Sequence, residues 1–142
     1  MEYKVVISGK NFGEHPLPGW NEALSATGRH YHQGGRMKRD YMMVIVNAIR
    51  RQLPKGLHIE KPIKIIYDYY DSNAKRDPGN LLYCDKVFED ALQICGIIDN
   101  DGQKNIHGIC LKRVHVDKSN PRIEITMIEV EDNAPRTSNF DR

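Results

Sequence analysis

The sequence has no apolar run approaching the ~18–20 residues that cross a bilayer, so no membrane-spanning helix is expected. Its opening, Met-Glu-Tyr-Lys-Val-Val-Ile-Ser-Gly, lacks a basic region followed by a long apolar stretch, and no signal peptide is expected there. Cysteine is scarce. Cys84, Cys95 and Cys110 are the only three, spaced 11 and 15 apart, with no CxxC. An odd set at that spacing argues against a disulfide framework or a zinc ribbon, and reduced, buried thiols in a cytoplasmic protein are expected. A strong charge of one sign is also missing. Lys plus Arg is 21 and Asp plus Glu is 19, a net charge of +2. That excludes a uniformly basic nucleic-acid binder. No internal repeat is visible.

What is present is an ordinary globular mix, 39% hydrophobic and 28% charged over 142 residues. One compact domain with one core fits that length. We expect a single domain over 1–130 and a polar tail over 131–142. The charge is not spread evenly. Residues 29–55 carry a net +6, residues 57–101 a net −4 and residues 102–122 a net +4.

Residues 3–8 are β-branched and aromatic and end at Gly9, which predicts a first strand. Residues 10–35, rich in Gly, Pro, Asn and His, read as a long loop that holds the only tryptophan, Trp20. From Arg36 to Leu53, apolar residues at Met37, Tyr41, Val44, Ile45, Ala48 and Ile49 recur at spacings of three and four, the stripe of a helix that Pro54 and Gly56 stop. Residues 62–70 read as a second strand. A second helix over 80–95 is expected to bury Leu81, Cys84, Phe88, Ala91 or Leu92, and Cys95, with Gly96 just past its end. A third strand is expected over 105–116, irregular at Gly108, and a fourth over 122–130, joined to the third by a hairpin at Ser119-Asn120-Pro121. The order β-α-β-α-β-β predicts an α+β fold, a four-stranded mixed sheet with two helices on one face.

Ionisable residues are densest over 75–104. Asp77 precedes the second helix, Asp101 follows it, and Asp85, Lys86, Glu89 and Asp90 lie on it. Lys86 and Asp90 share one face, Asp85 and Glu89 a neighbouring one. Carboxylates converging from the ends of a helix can hold a hard cation such as Mg²⁺, and a nearby lysine can offset charge on a phosphoryl oxygen. A 16-residue helix is ~24 Å long, so Asp77 and Asp101 meet only if their loops fold back or the flanking strands lie side by side. The same residues also suit plain turns: Asp77-Pro78-Gly79-Asn80 as a helix cap, Asn100-Asp101-Gly102 as a tight turn.

The pattern Lys75-Arg76-Asp77-Pro78-x-Asn80, then Lys86-Val87-Phe88-x-Asp90-Ala91-Leu92, then Gly96-Ile97-Ile98-x-Asn100-Asp101-Gly102 strongly resembles the RusA family of Holliday-junction resolvases. Asn21-Glu22 and Val116-Asp117-Lys118-x-Asn120-Pro121-Arg122-Ile123-Glu124 extend the resemblance, to the longer Gram-positive and phage form, over about residues 3–130. It implies a homodimer that uses Mg²⁺, with Mn²⁺ as a substitute, to place paired symmetric nicks in four-way DNA junctions during recombination and repair. It also implies Asp77, Asp101 and Lys86 as catalytic residues. Asp77, Asp101 and Asp90 are the expected metal ligands, and Lys75, Arg76 and Lys104 the expected DNA contacts. The family's further aspartate, two residues after the first, is replaced by Gly79. Either Asp90, Glu89 or Asp85 compensates, or the protein is a weakened enzyme or an inactive binder of branched DNA.

Other candidates carry less. His30-x-His32 has the alternate spacing of a weak transition-metal pair. Asp99-x-Asp101-Gly102 starts like a calcium loop but lacks its later ligands. Tyr67, Tyr69 and Tyr70 fit a half-buried aromatic strand better than a base-stacking platform. Trp20 suits a base wedge, a dimer contact or an anchor. His107 and His115 are expected on the third strand, facing DNA or solvent.

Overall fold

The computed structural model describes residues 1–8, 31–74, 83–108 and 110–131. Its elements are β1 Glu2–Ser8, α1 Tyr31–Gln52, β2 Ile63–Asp71, α2 Tyr83–Ile94, β3 Leu111–Val116 and β4 Arg122–Glu129, the expected α+β order. The four strands form one mixed sheet in the order β1-β4-β2-β3. β4 runs antiparallel to both neighbours, and β3 runs parallel to β2. A parallel pair needs a crossover, and α2 supplies it.

Period-two alternation turns one set of strand side chains inward. Val5, Ile125 and Tyr67 form one row across the sheet, and Ile7, Ile123 and Tyr69 the next, all buried. Tyr41, Ile45, Ala48 and Ile49 of α1 join the same core, as do Val87, Phe88, Ala91 and Leu92 of α2. Both helices therefore cover one face of the sheet. The Phe88 ring meets Tyr67 edge-on, with centroids 6.0 Å apart and planes at 86°. Burying a side chain of that size contributes about 2–3 kcal/mol.

The loops hold this core in register. Gly96 takes a φ of 72°, and the amides of Gly96 and Ile97 close onto the Gln93 and Leu92 carbonyls at 3.0 and 2.9 Å, ending α2. The Ile59 amide donates to the Ile97 carbonyl at 2.8 Å, tying the segment after α1 to the segment after α2. On the β1 edge, the Gln52 amide accepts from Val6 N and donates to Val6 O, both at 2.7 Å, as a neighbouring strand would.

Three expectations change. α1 starts at Tyr31, inside the stretch read as loop. Glycines such as Gly34 and Gly35 cost about 1 kcal/mol each in a helix, but extending a helix already anchored needs no new nucleus. β3 is shorter than expected and starts at Leu111; the residues before it make only an isolated bridge, Ile63 to Ile106, and Gly108 at φ 74° breaks the strand where irregularity was expected. Finally, β3 and β4 are not a hairpin. Their connection crosses the end of β2, with the Asp117 amide donating to the Asp71 carbonyl at 2.8 Å, and β4 inserts between β1 and β2. A short polar link between two strands reads as a hairpin locally, but only the packing of a third strand decides adjacency.

Candidate functional site

The parallel pairing meets one condition set by the sequence: the strands flanking α2 do lie side by side. Because they are parallel, however, β2 ends at the opposite edge of the sheet from where β3 begins. The chain leaves β2 beside Val116, and the Asp101 turn enters beside Ile63, where Asn105 and His107 bracket Ile63 with 2.8 Å backbone hydrogen bonds. Asp77, Gly79, Lys75 and Arg76 lie outside the described residues, as do Asn21, Glu22, Trp20 and His30.

Asp101 sits in the tight turn its sequence suggested. Gly102 N donates to Asn100 Oδ1 at 2.7 Å, and Asn105 N and Ile106 N close onto the Gly102 carbonyl at 3.0 and 2.8 Å. A side-chain carbon at Gly102 would stand 3.2 Å from Asn100 Oδ1, tight enough to disturb the turn. The charge of this half-exposed carboxylate reaches one residue of α2. The Glu89 carboxyl is pushed up to about 7, first by burial and then by the negative charges of Asp85 and Asp101. Glu89 thus lies within electrostatic reach of Asp85 and Asp101.

Asp85 is already engaged. Lys112 Nζ of β3 lies 2.6 Å from Asp85 Oδ2, Lys86 N donates to Asp85 Oδ1 at 2.8 Å, and Tyr67 Oη donates to the Asp85 carbonyl at 3.4 Å. Its place in the first turn of α2 also suits a carboxylate. Glu89 has a weaker partner, the Cys110 thiol, whose Sγ donates to Oε2 at 3.7 Å. Burial, then the charges of Glu89 and Asp85, push that thiol up to about 12, so Cys110 stays protonated and is no nucleophile. Cys95 and Cys110 are both free thiols, as expected, but half-buried where full burial was expected.

Lys86 is exposed on α2, next in sequence to Asp85. Its charge draws the Glu89 carboxyl down, opposing the stronger causes above. Asp90 is half-buried and stands ~100° round the helix from Glu89. The α2 carboxylate that feels the Asp101 charge is Glu89, which sequence reasoning held only as a substitute. The four-residue step from Asp85 to Glu89 was the available signal; the approach of Cys110 and Lys112 had none. Lys104 is exposed in the turn beyond Asp101. Among the described residues, no three His, Cys, Asp or Glu side chains gather closely enough to hold a metal ion.

A second polar cluster lies on the sheet face away from the helices, and the sequence did not announce it. Asp68, buried on β2, receives Arg113 Nε and Nη2 at 2.6 and 2.8 Å and His115 Nε2 at 2.9 Å. The Arg113 hydrogen bonds hold its carboxyl below the ordinary range, with help from His115. Tyr70 is flanked by His115, stacked with centroids 4.5 Å apart, and by the Arg122 guanidinium, 3.8 Å from its ring centre. Arg122 also pairs with Asp117 at 2.8 Å and Glu124 at 2.7 Å. Both flanks of the Tyr70 ring are filled, and Tyr67 and Tyr69 are buried in the core, so the tyrosine strand is structural. His107, expected to face DNA or solvent, is buried ahead of β3, because its amide is drawn onto Ile63. A carboxylate at an outward position within the tyrosines of β2, Asp68, was the trace of this network in the sequence.

Among the described residues, no helix is long and apolar enough to cross a membrane. No protein-family model matches the chain, and a comparison with curated proteins finds none similar to it.

Proposed function

We propose that the chain is a Mg²⁺-dependent endonuclease of branched DNA, acting as a homodimer on four-way junctions in the manner of the RusA family it resembles. The observation that carries this reading is the place of Glu89 on α2, where burial first, and then the charges of Asp85 and Asp101, push its carboxyl up to about 7. Carboxylate oxygens such as those of Asp101 and Glu89 suit a hard divalent cation. The described carboxylates do not make a complete site, and Asp77, within the segment that resembles the family motif, supplies the missing ligand in this reading. Asp101 and Asp77 hold the cation, with Asp90 or Glu89 as the third carboxylate in place of the residue lost at Gly79. When bound, Mg²⁺ polarises the scissile phosphate and lowers the pKa of a bound water.

The chain's own residues provide the rest. Exposed Lys86 brings positive charge toward a phosphate oxygen. Lys112 fixes Asp85, so the repulsion on Glu89 comes from a stationary charge. Lys75, Arg76 and Lys104 flank the acidic centre in sequence and hold the backbone of the substrate. A two-fold dimer matches a junction that is itself near two-fold symmetric.

The test is nicking of a labelled synthetic four-way junction. Wild type with Mg²⁺ is expected to give paired symmetric nicks, and Asp101→Asn to abolish them. Nicking that survives Asp101→Asn removes Asp101 from the site. Gly79 favours a second reading, a binder of branched DNA whose metal site is disabled. Junction binding without nicking, together with a large gain on Gly79→Asp, supports the second reading over the first.

A further inference from the structure

We propose that the solvent face of α1 is a rail for the phosphate backbone of a duplex arm of DNA. This deepens the functional reading above and rests on it for the identity of the polyanion. Arg39, Arg50 and Arg51 are exposed on α1, and Lys55 follows just beyond its end. On the ~100° step of a helix, Arg39 and Arg50 fall on one line, with Met43 and Asn47 between them and Arg51 at the edge of the same arc. The opposite arc holds Tyr41, Ile45, Ala48 and Ile49 in the core, so the basic arc points away from the protein. Asp40 is the acidic residue on this arc.

Among the described residues these four cations lack carboxylate partners, as do Lys64, Lys86, Lys104 and Lys118, but they alone stand together along one helix and its end. Lys4, Lys61, Lys112, Arg113 and Arg122 each meet a carboxylate at 3.5 Å or less. Among the described residues, Arg39, Arg50, Arg51 and Lys55 form no ion pair. Arg50 instead lies against the Cys95 thiol, which leaves its charge uncompensated. On the strands, by contrast, Lys4, Lys112, Arg113 and Arg122 are paired and Lys64 is not.

The dimensions suit a duplex. Arg39 to Arg50 spans ~16 Å along the helix, and a duplex carries one phosphate per ~1.7 Å of axis, so several phosphates lie within reach. The rail also leads toward the acidic site. Arg50 and Lys55 line a groove of about 360 Å³ together with Cys95 and Ile97, and Ile97 begins the short segment that ends at Asp101. A duplex arm lying along α1 is thereby directed past the C-terminal end of α2 toward that turn.

The test measures binding of a labelled four-way DNA junction by fluorescence anisotropy, in EDTA so that no cleavage intervenes, across about 50 to 300 mM salt. The triple variant Arg39→Gln, Arg50→Gln, Arg51→Gln is expected to bind about 10²-fold more weakly at 0.1 M salt. Its log–log salt slope is expected to be shallower by about two to three. A matched control, Lys4→Gln, Lys61→Gln, Lys64→Gln, removes the same charge from the sheet side and is expected to change affinity by less than about threefold. Equal losses in the two triple variants, or no loss in the first, overturn the proposal, as does a wild-type protein that binds no DNA. If the triple variant fails to fold, Arg39→Gln and Arg51→Gln singly are each expected to reduce the slope by about one, and an unchanged slope in both refutes the rail. Arginine-dependent binding by a protein that never nicks with Mg²⁺ sinks the nuclease reading and leaves the rail standing.

Discussion

Replacing Glu89 with Gln should make the protein more stable at alkaline pH and leave it unchanged at acid pH. In the folded chain the Glu89 carboxyl is raised from 4.5 to about 7 by burial and by Asp85 and Asp101. Between those values the folded state keeps a proton that the unfolded state has lost. Stability contributed by the protonated carboxyl is thus complete below pH ~4.5 and is lost as pH rises through ~7. The full gap corresponds to ~3 kcal/mol, and the partial exposure of the side chain reduces this to about 1–2 kcal/mol. Glutamine is neutral at every pH, nearly isosteric, and still accepts from the Cys110 thiol. Urea midpoints for wild type and Glu89→Gln, taken from about pH 4 to about pH 8 in EDTA, should coincide at the acid end and separate progressively, with the variant higher. Curves that run parallel across the range would refute the carboxylate convergence from which the site is built, because a Glu89 remote from Asp85 and Asp101 and open to water has no reason to hold its proton.

Three further outcomes follow from particular contacts. Asp68→Asn should cost about 1–2 kcal/mol at pH 7 by weakening the two-pronged Arg113 bond and the His115 bond. Because the Asp68 carboxyl is held low, that difference should shrink as pH falls below ~4, which acid denaturation curves of the pair can check. Gly96→Ala should cost about 1 kcal/mol in thermal or urea unfolding through the φ of 72° alone, since no atom stands within 4 Å of the added carbon. Gln52→Ala should cost about 1 kcal/mol and speed hydrogen exchange at the Val6 amide, because both of its bonds to the β1 edge are lost.

The strands and helices were legible where periodicity was strong. The three-and-four stripe from Tyr41 to Ile49 located α1, and strict alternation from Ile123 to Met127 located β4. Boundaries were less legible where backbone geometry competes with residue preference: Gly34 and Gly35 hid the start of α1, and Gly108 split what looked like one strand. Part of the candidate site could also be read. The Asn100-Asp101-Gly102 turn formed as its residues suggest, since an Asn side chain closing on the amide two residues on is a local event. The choice of Glu89 over Asp90 as the α2 neighbour of Asp101 was not local. It depends on which strip of α2 faces β3 and the loop before it.

By itself, then, the sequence determined the number and kind of elements, the apolar stripe of each, the α+β class and the acidic segment between two basic blocks. These follow from side-chain periods of two and 3.6 and from turn residues, all of which act over a few positions. Tertiary structure alone decided that β4 enters between β1 and β2, that Asp68 is buried under Arg113 and His115, and that Glu89 feels the charges of Asp85 and Asp101. Adjacency between strands and charge pairing between elements are set by which surfaces pack together. That packing is a property of the whole core, and no short window of residues contains it.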